Sequence, residues 1–182
     1  MKKFTKIKED KKEKKKEFKY EYGCVMMYFD IQEWKEILKI IDKEDVYDED
    51  GFGYENDAHI TLLWGLLDSV EDEDVKKFLE NLPKPYIELS NIDIFQGTEY
   101  DVVKFNVTNQ MLNDINSDLS TLPNKQTFFE YHPHMTICYV KAGRGCKYIQ
   151  KLDKTIIVKP SKIIYSKPSK EGKKIEIDLK IW

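Results

Sequence analysis

Two peptides of this chain repeat one pattern, His59-Ile60-Thr61-Leu62 and His134-Met135-Thr136-Ile137, and between them they use two of its three histidines. Successive side chains of a β-strand point to opposite faces. The alternation puts His59 with Thr61 on one face of a strand, and His134 with Thr136 on one face of another, while Ile60, Leu62, Met135 and Ile137 turn to a core. Each run continues to an aromatic at the same offset, Trp64 and Tyr139, out of phase with the histidine and therefore expected in the core. Two such strands facing each other gather two imidazoles and two hydroxyls around one small anion. That is equipment for acid/base chemistry on a phosphate.

The rest of the chain reads as a frame for these strands. Gly23–Phe29 has the composition of a buried strand. Asp30 then opens a helix, with Glu33 completing a capping-box pattern and Ile31, Trp34, Ile37, Leu38 and Ile41 at helical spacing. An acidic loop with Gly51 and Gly53 leads to the first His-Thr strand. Val75, Phe78, Leu79 and Leu82 mark a second helix, ended by Pro83 and Pro85. Residues 86–96 and 100–108 read as strands joined by a turn at Gly97. Met111, Leu112, Ile115 and Leu119 mark a third helix, and the second His-Thr strand begins near Pro133. Residues 141–147 form a basic glycine loop, and residues 155–165 and 174–182 read as a closing hairpin.

An internal echo runs through this frame. The strand ending in Tyr28-Phe29 and the strand containing Lys104-Phe105 each precede a helix, a loop and a His-Thr strand; Phe29 lies 30 residues before His59, and Phe105 lies 29 before His134. The chain thus reads as two strand–helix–strand units, which, packed about a pseudo-two-fold axis, set His59 opposite His134. Tyr28 and Lys104 fall at matching positions, each pointing away from a core phenylalanine and toward the cleft.

Composition narrows the alternatives. A chain of 182 residues with 41% apolar content suits one domain with a sizeable core. No apolar run approaches the roughly 18 residues that span a bilayer. The lysine-rich start lacks the apolar segment of a secretory signal. Cys24, Cys138 and Cys146 show no paired spacing, which points to a reducing cytoplasm. Residues 1–19 hold ten lysines against four acidic residues, a net of +6 in a chain whose total is −3, so the remainder carries −9. Residues 1–21 are thus expected to form a solvated tail outside a domain of residues 22–182. The acidic body argues against broad binding to long nucleic acid and leaves a small anionic ligand in a cleft.

The pair His59-x-Thr61 and His134-x-Thr136, 75 residues apart, resembles the signature of the 2H phosphoesterase superfamily. Members of that superfamily include 2′-5′ RNA ligase-like proteins and cyclic phosphodiesterases. Residues 57–66 (DAHITLLWGL) and 131–140 (YHPHMTICYV) are most similar to its phage-encoded, anti-CBASS-type branch. The resemblance implies a bilobal α+β fold, with two antiparallel sheets in pseudo-two-fold repeats lining a cleft and helices outside. It implies a metal-independent phosphodiesterase that hydrolyses cyclic or 2′-5′-linked oligonucleotides, with immune signalling nucleotides as substrates and the host cytoplasm as location. RNA-end processing and a non-catalytic nucleotide sponge are the competing readings. His59 and His134 would exchange a proton with the attacking and leaving oxygens, and Thr61 and Thr136 would hold the non-bridging oxygens. Tyr28 is expected to stack on a base. Lys104, Lys141 and Arg144 are expected to neutralise phosphate. His132 is read as structural. A metal site built on His132, His134 and His59 has no carboxylate or cysteine at supporting spacing, so no metal or other cofactor is expected, and no membrane or protein partner.

Overall fold

The computed structural model describes residues 21–125, 130–169 and 174–182. The lysine-rich stretch lies outside the described residues. Among these residues the chain forms eight strands: β1 (Gly23–Phe29), β2 (His59–Leu66), β3 (Ile87–Phe95), β4 (Tyr100–Asn106), β5 (His134–Lys141), β6 (Gln150–Val158), β7 (Pro160–Lys167) and β8 (Ile175–Asp178). Three α-helices accompany them among the described residues, α1 (Trp34–Leu38), α2 (Asp72–Leu79) and α3 (Gln110–Leu119).

The strands make one antiparallel sheet in the order β6-β3-β4-β5-β2-β1-β7-β8, rather than the two sheets expected. The junction between its halves is slender: among the described residues β2 and β5 pair only at Ile60 and Met135. The sheet is also curled. Six steps of about 4.8 Å would separate β6 from β7 in a flat sheet by roughly 29 Å. Yet β6 ends at Val158 and β7 begins at Pro160, so Lys159 alone makes the crossing, and two peptide steps reach about 7.6 Å. Residues 155–165 are therefore not one strand of a hairpin. They split between β6, which pairs β3, and β7, which pairs β1 and β8.

Beyond Ile60 and Met135, β2 and β5 part, and their open edges find other partners. Residues 46–55 run along β5: Glu55 N–H donates to the Ile137 carbonyl, Tyr139 N–H to Gly53, and Tyr47 N–H to Tyr139. Residues 122–125 run along β2, where Lys125 N–H donates to Gly65 and Leu67 N–H to Pro123. Gly65 is required there. Its φ is +101°, and an added Cβ would sit 2.5 Å from the Lys125 carbonyl oxygen.

The apolar face is built as the alternation predicts. Ile60, Leu62, Met135 and Ile137 are fully buried in one cluster with Leu112, Ile115 and Leu119 of α3 and Trp34 and Ile37 of α1. The first helix is shorter than its spacing suggests; it starts at Trp34, with Glu33 as an N-cap that makes no side-chain cap bond. A capping box does form at α2, between Glu71 and Asp74.

The two aromatics expected in the core are on the opposite face. In β1–β2 the register slips between Val25 and Met26, and in β4–β5 between Val103 and Lys104. Each slip is a bulge that inserts one residue, Leu62 or Ile137, and inverts the alternation beyond it. Leu63 and Cys138 consequently turn inward, which leaves Trp64 41% exposed and Tyr139 half-buried.

Candidate active site

The antiparallel step that sets Ile60 against Met135 places His59 beside Thr136 and Thr61 beside His134. All four side chains thus leave the sheet on the face opposite the core. The helices occupy the core face, so this face is the open one.

The histidines are held alike. His59 Nδ1 lies 2.9 Å from the carbonyl oxygen of Asp57, and His134 Nδ1 lies 2.7 Å from that of His132, each two residues upstream. A carbonyl can only accept, so Nδ1 carries the hydrogen in both rings. Each neutral imidazole then presents the lone pair of Nε2. The same tether survives protonation, because the imidazolium still donates from Nδ1. This gives His132 a role through its backbone carbonyl, while its side chain faces Glu130 at 3.6 Å.

The surroundings of the two rings differ in chemistry. Tyr28 pairs with His59 in register, and their ring centroids are 5.4 Å apart. Lys162, its partner on β7, holds its ammonium 5.4 Å from the Tyr28 ring. His134 meets the edge of Phe95 at 4.9 Å. Lys104 is only 1% exposed, with its ammonium 4.0 Å from the Phe95 centroid, hydrogen-bonded to Asn106 and 3.8 Å from Asp93. Asn106 in turn donates to Asp93 at 2.6 Å. Burial pushes the His134 imidazole below the usual histidine range, and the charges of Lys104, His59 and His132 push the same way against its hydrogen bond to the His132 carbonyl. His134 is therefore neutral, and ready to accept a proton, over a wider span of pH.

The threonines differ less. Thr136 is buried beside Lys104, and Thr61 pairs in register with Met26. Burial raises the Cys24 thiol to about 12, so it stays protonated and inert. Tyr131 and Asn116 fix β2 by donating to the carbonyls of Thr61 and Leu62.

Of the expected contacts, Tyr28 is at the site, and Lys104 is near it but sealed beneath Phe95. The two are not equivalent in register: Tyr28 faces His59, whereas Asn106 faces His134 and Lys104 faces Thr136. Lys141 and Arg144 are elsewhere. Lys141 closes β5 seven residues from His134, about 23 Å along the strand, and donates to the Glu44 carbonyl. Arg144 lies 4.0 Å from Asp45, a buried carboxylate that also takes Lys147 and the Tyr148 hydroxyl at 2.6 Å each. The basic loop thus clasps the segment before β2. Phe95, Asn106, Asp93 and Lys162 escaped the sequence reading. Phe95 and Asp93 share a strand face, and Asn106 follows Lys104 by the strand period of two, a signal the sequence does carry. Among the described residues no group of three or more His, Cys, Asp or Glu could hold a metal ion.

No protein-family model matches the chain, and no curated protein matches it in sequence. Solved structures do match in shape. A structure described as a phosphoesterase superposes with a TM-score of 0.56 at 20% identity, covering 87% of this chain and 96% of its own. Escherichia coli LigT in its apo form gives 0.55 at 19% identity, covering 89% and 97%; it has also been crystallised with 3′-AMP. Kluyveromyces marxianus Usb1 gives 0.51 at 6% identity, covering 88% and 98%. Across nearly its whole described length, the chain therefore has the α+β fold of these proteins.

Proposed function

We propose that this protein is a phosphodiesterase that cleaves small oligonucleotides by acid/base catalysis between His59 and His134. The matched Nδ1 tethers carry the reading. Two imidazoles on one sheet face, both fixed so that Nε2 points away from the backbone, are what a proton relay across one phosphorus requires.

In this scheme the neutral Nε2 of one histidine takes the proton of the attacking hydroxyl or water. The new P–O bond forms as the opposite P–O bond breaks, and the second histidine, entering as imidazolium, gives its Nε2 proton to the leaving oxygen. The lowered proton affinity of His134 favours it as base and His59 as acid. Thr61 and Thr136 offer hydroxyls to the non-bridging oxygens. Tyr28 beside His59 and Phe95 beside His134, the latter 38% exposed, give a base on either side of the phosphate an aromatic ring to stack on. The scheme needs no metal.

The test is a panel of linear 2′-5′ and 3′-5′ oligoadenylates, cyclic di- and trinucleotides (the class to which immune signals belong) and 2′,3′-cyclic AMP, incubated with the full chain in EDTA. Turnover of at least one internucleotide linkage is expected. His59→Ala and His134→Ala should each reduce kcat by about 10²–10⁴-fold. Absence of turnover across the panel, or turnover indifferent to both substitutions, overturns the proposal.

A further inference from the structure

Trp64 is a large, exposed aromatic that the sheet places on the catalytic face. The bulge after Thr61 turns it there, opposite Cys24 on β1. Alternate residues of β1 join the two places: Tyr28 pairs with His59, Met26 with Thr61 and Cys24 with Trp64. Tyr22 leans on Trp64 with ring centroids 5.2 Å apart. Lys125 completes the group: its ammonium is 5.0 Å from the Tyr22 centroid and donates to the Tyr22 hydroxyl at 3.2 Å. The backbone bond from Lys125 to Gly65 fixes that lysine beside the tryptophan. One carboxylate, Glu21, accepts from the Tyr22 hydroxyl at 3.3 Å.

The equivalent place on the other half is closed. Tyr139 is turned to the same face by the second bulge, but Phe52 and Tyr100 cover it at 4.8 and 5.4 Å. Of the two rings turned outward by the bulges, Trp64 on the β2 side is therefore the open one. Trp64 lies five residues beyond His59, with the bulge residue Leu62 among the four between them, a distance of about 14–17 Å. That is beyond the bases joined by the phosphate at the histidines, which have Tyr28 and Phe95.

We infer that Trp64, with Tyr22 and Lys125, is a shelf for a further nucleotide, its base on Trp64 and its phosphate near Lys125, so that the substrate is an oligonucleotide of three or more units lying across β2 and β1. This rests on the phosphodiesterase reading for its cleaved bond but not for its binding. An aromatic face accepts any base, and an adjacent cation suits the backbone.

The experiment measures binding of linear di-, tri- and tetraadenylate, 2′-5′ and 3′-5′ linked, to the His59→Ala/His134→Ala protein by calorimetry, together with kcat/KM on the wild type. The trinucleotide should bind at least about fivefold more tightly than the dinucleotide. Trp64→Ala should abolish that gain, and Trp64→Phe should keep much of it. Equal affinity for both lengths, or a gain that survives Trp64→Ala, overturns the shelf. Cleavage without length dependence overturns the shelf alone, length-dependent binding without cleavage of these or of any other member of the panel overturns the phosphodiesterase reading alone, and failure of every oligonucleotide of the panel to bind or react overturns both.

Discussion

Lys104 adds to the burial that lowers the proton affinity of His134. Its ammonium sits between Phe95, Asn106 and Asp93, near enough to His134 to oppose that ring's protonation. Replacing it by methionine keeps the packing and removes the cation. The His134 imidazole should then bind its proton more tightly, and the acidic limb of a pH profile of kcat/KM should move to higher pH. An unmoved limb would separate Lys104 from the base. Asp45 makes a parallel case for stability. The hydrogen bonds of Lys147 and then Tyr148 hold its carboxyl below the usual aspartate range. A carboxyl depressed in the folded state contributes stability above its unfolded pKa and loses it as pH falls through the folded one. Asp45→Asn should therefore cost roughly 1–3 kcal/mol at pH 7. Its deficit against wild type should shrink below about pH 4 in urea titrations.

At the level of elements, the two His-Thr strands were legible because period-2 alternation and burial agree at Ile60, Leu62, Met135 and Ile137. What the sequence hid was the pair of bulges. A single inserted residue has no composition of its own, and it sent Trp64 and Tyr139 to the face opposite the one expected. The same insertions hid the true register, so Tyr28 was matched with Lys104 when its counterpart facing the other histidine is Asn106. The basic loop misled for another reason: a lysine and an arginine near a motif in sequence can be spent on Asp45 and a carbonyl at the far end of the strand. Gly65 gives this scale its test. Gly65→Ala places a side chain on a left-handed residue against the Lys125 backbone. It should destabilise the protein by about 1–3 kcal/mol in denaturant titrations, with the 122–125 segment losing amide protection from hydrogen exchange first.

For the whole molecule, the fold was readable as α+β, whereas the single curled sheet was not. Curling depends on Lys159 joining the first strand of the order to the seventh, and connectivity of that kind leaves no trace in local patterning. The four strands on the His134 side come from one uninterrupted stretch, residues 87–158, while the His59 side is assembled from residues 23–66 and 160–178. On the ribosome this imposes a schedule. A nascent chain that has reached residue 158 already holds both histidines and every strand of one half, yet β1 still has a bare edge, because its second partner β7 has not been made. A bare edge is an invitation to pair with another chain. The strand that shields β1 is thus made after every strand of the other half, and that edge stays open until residues 160–167 have emerged.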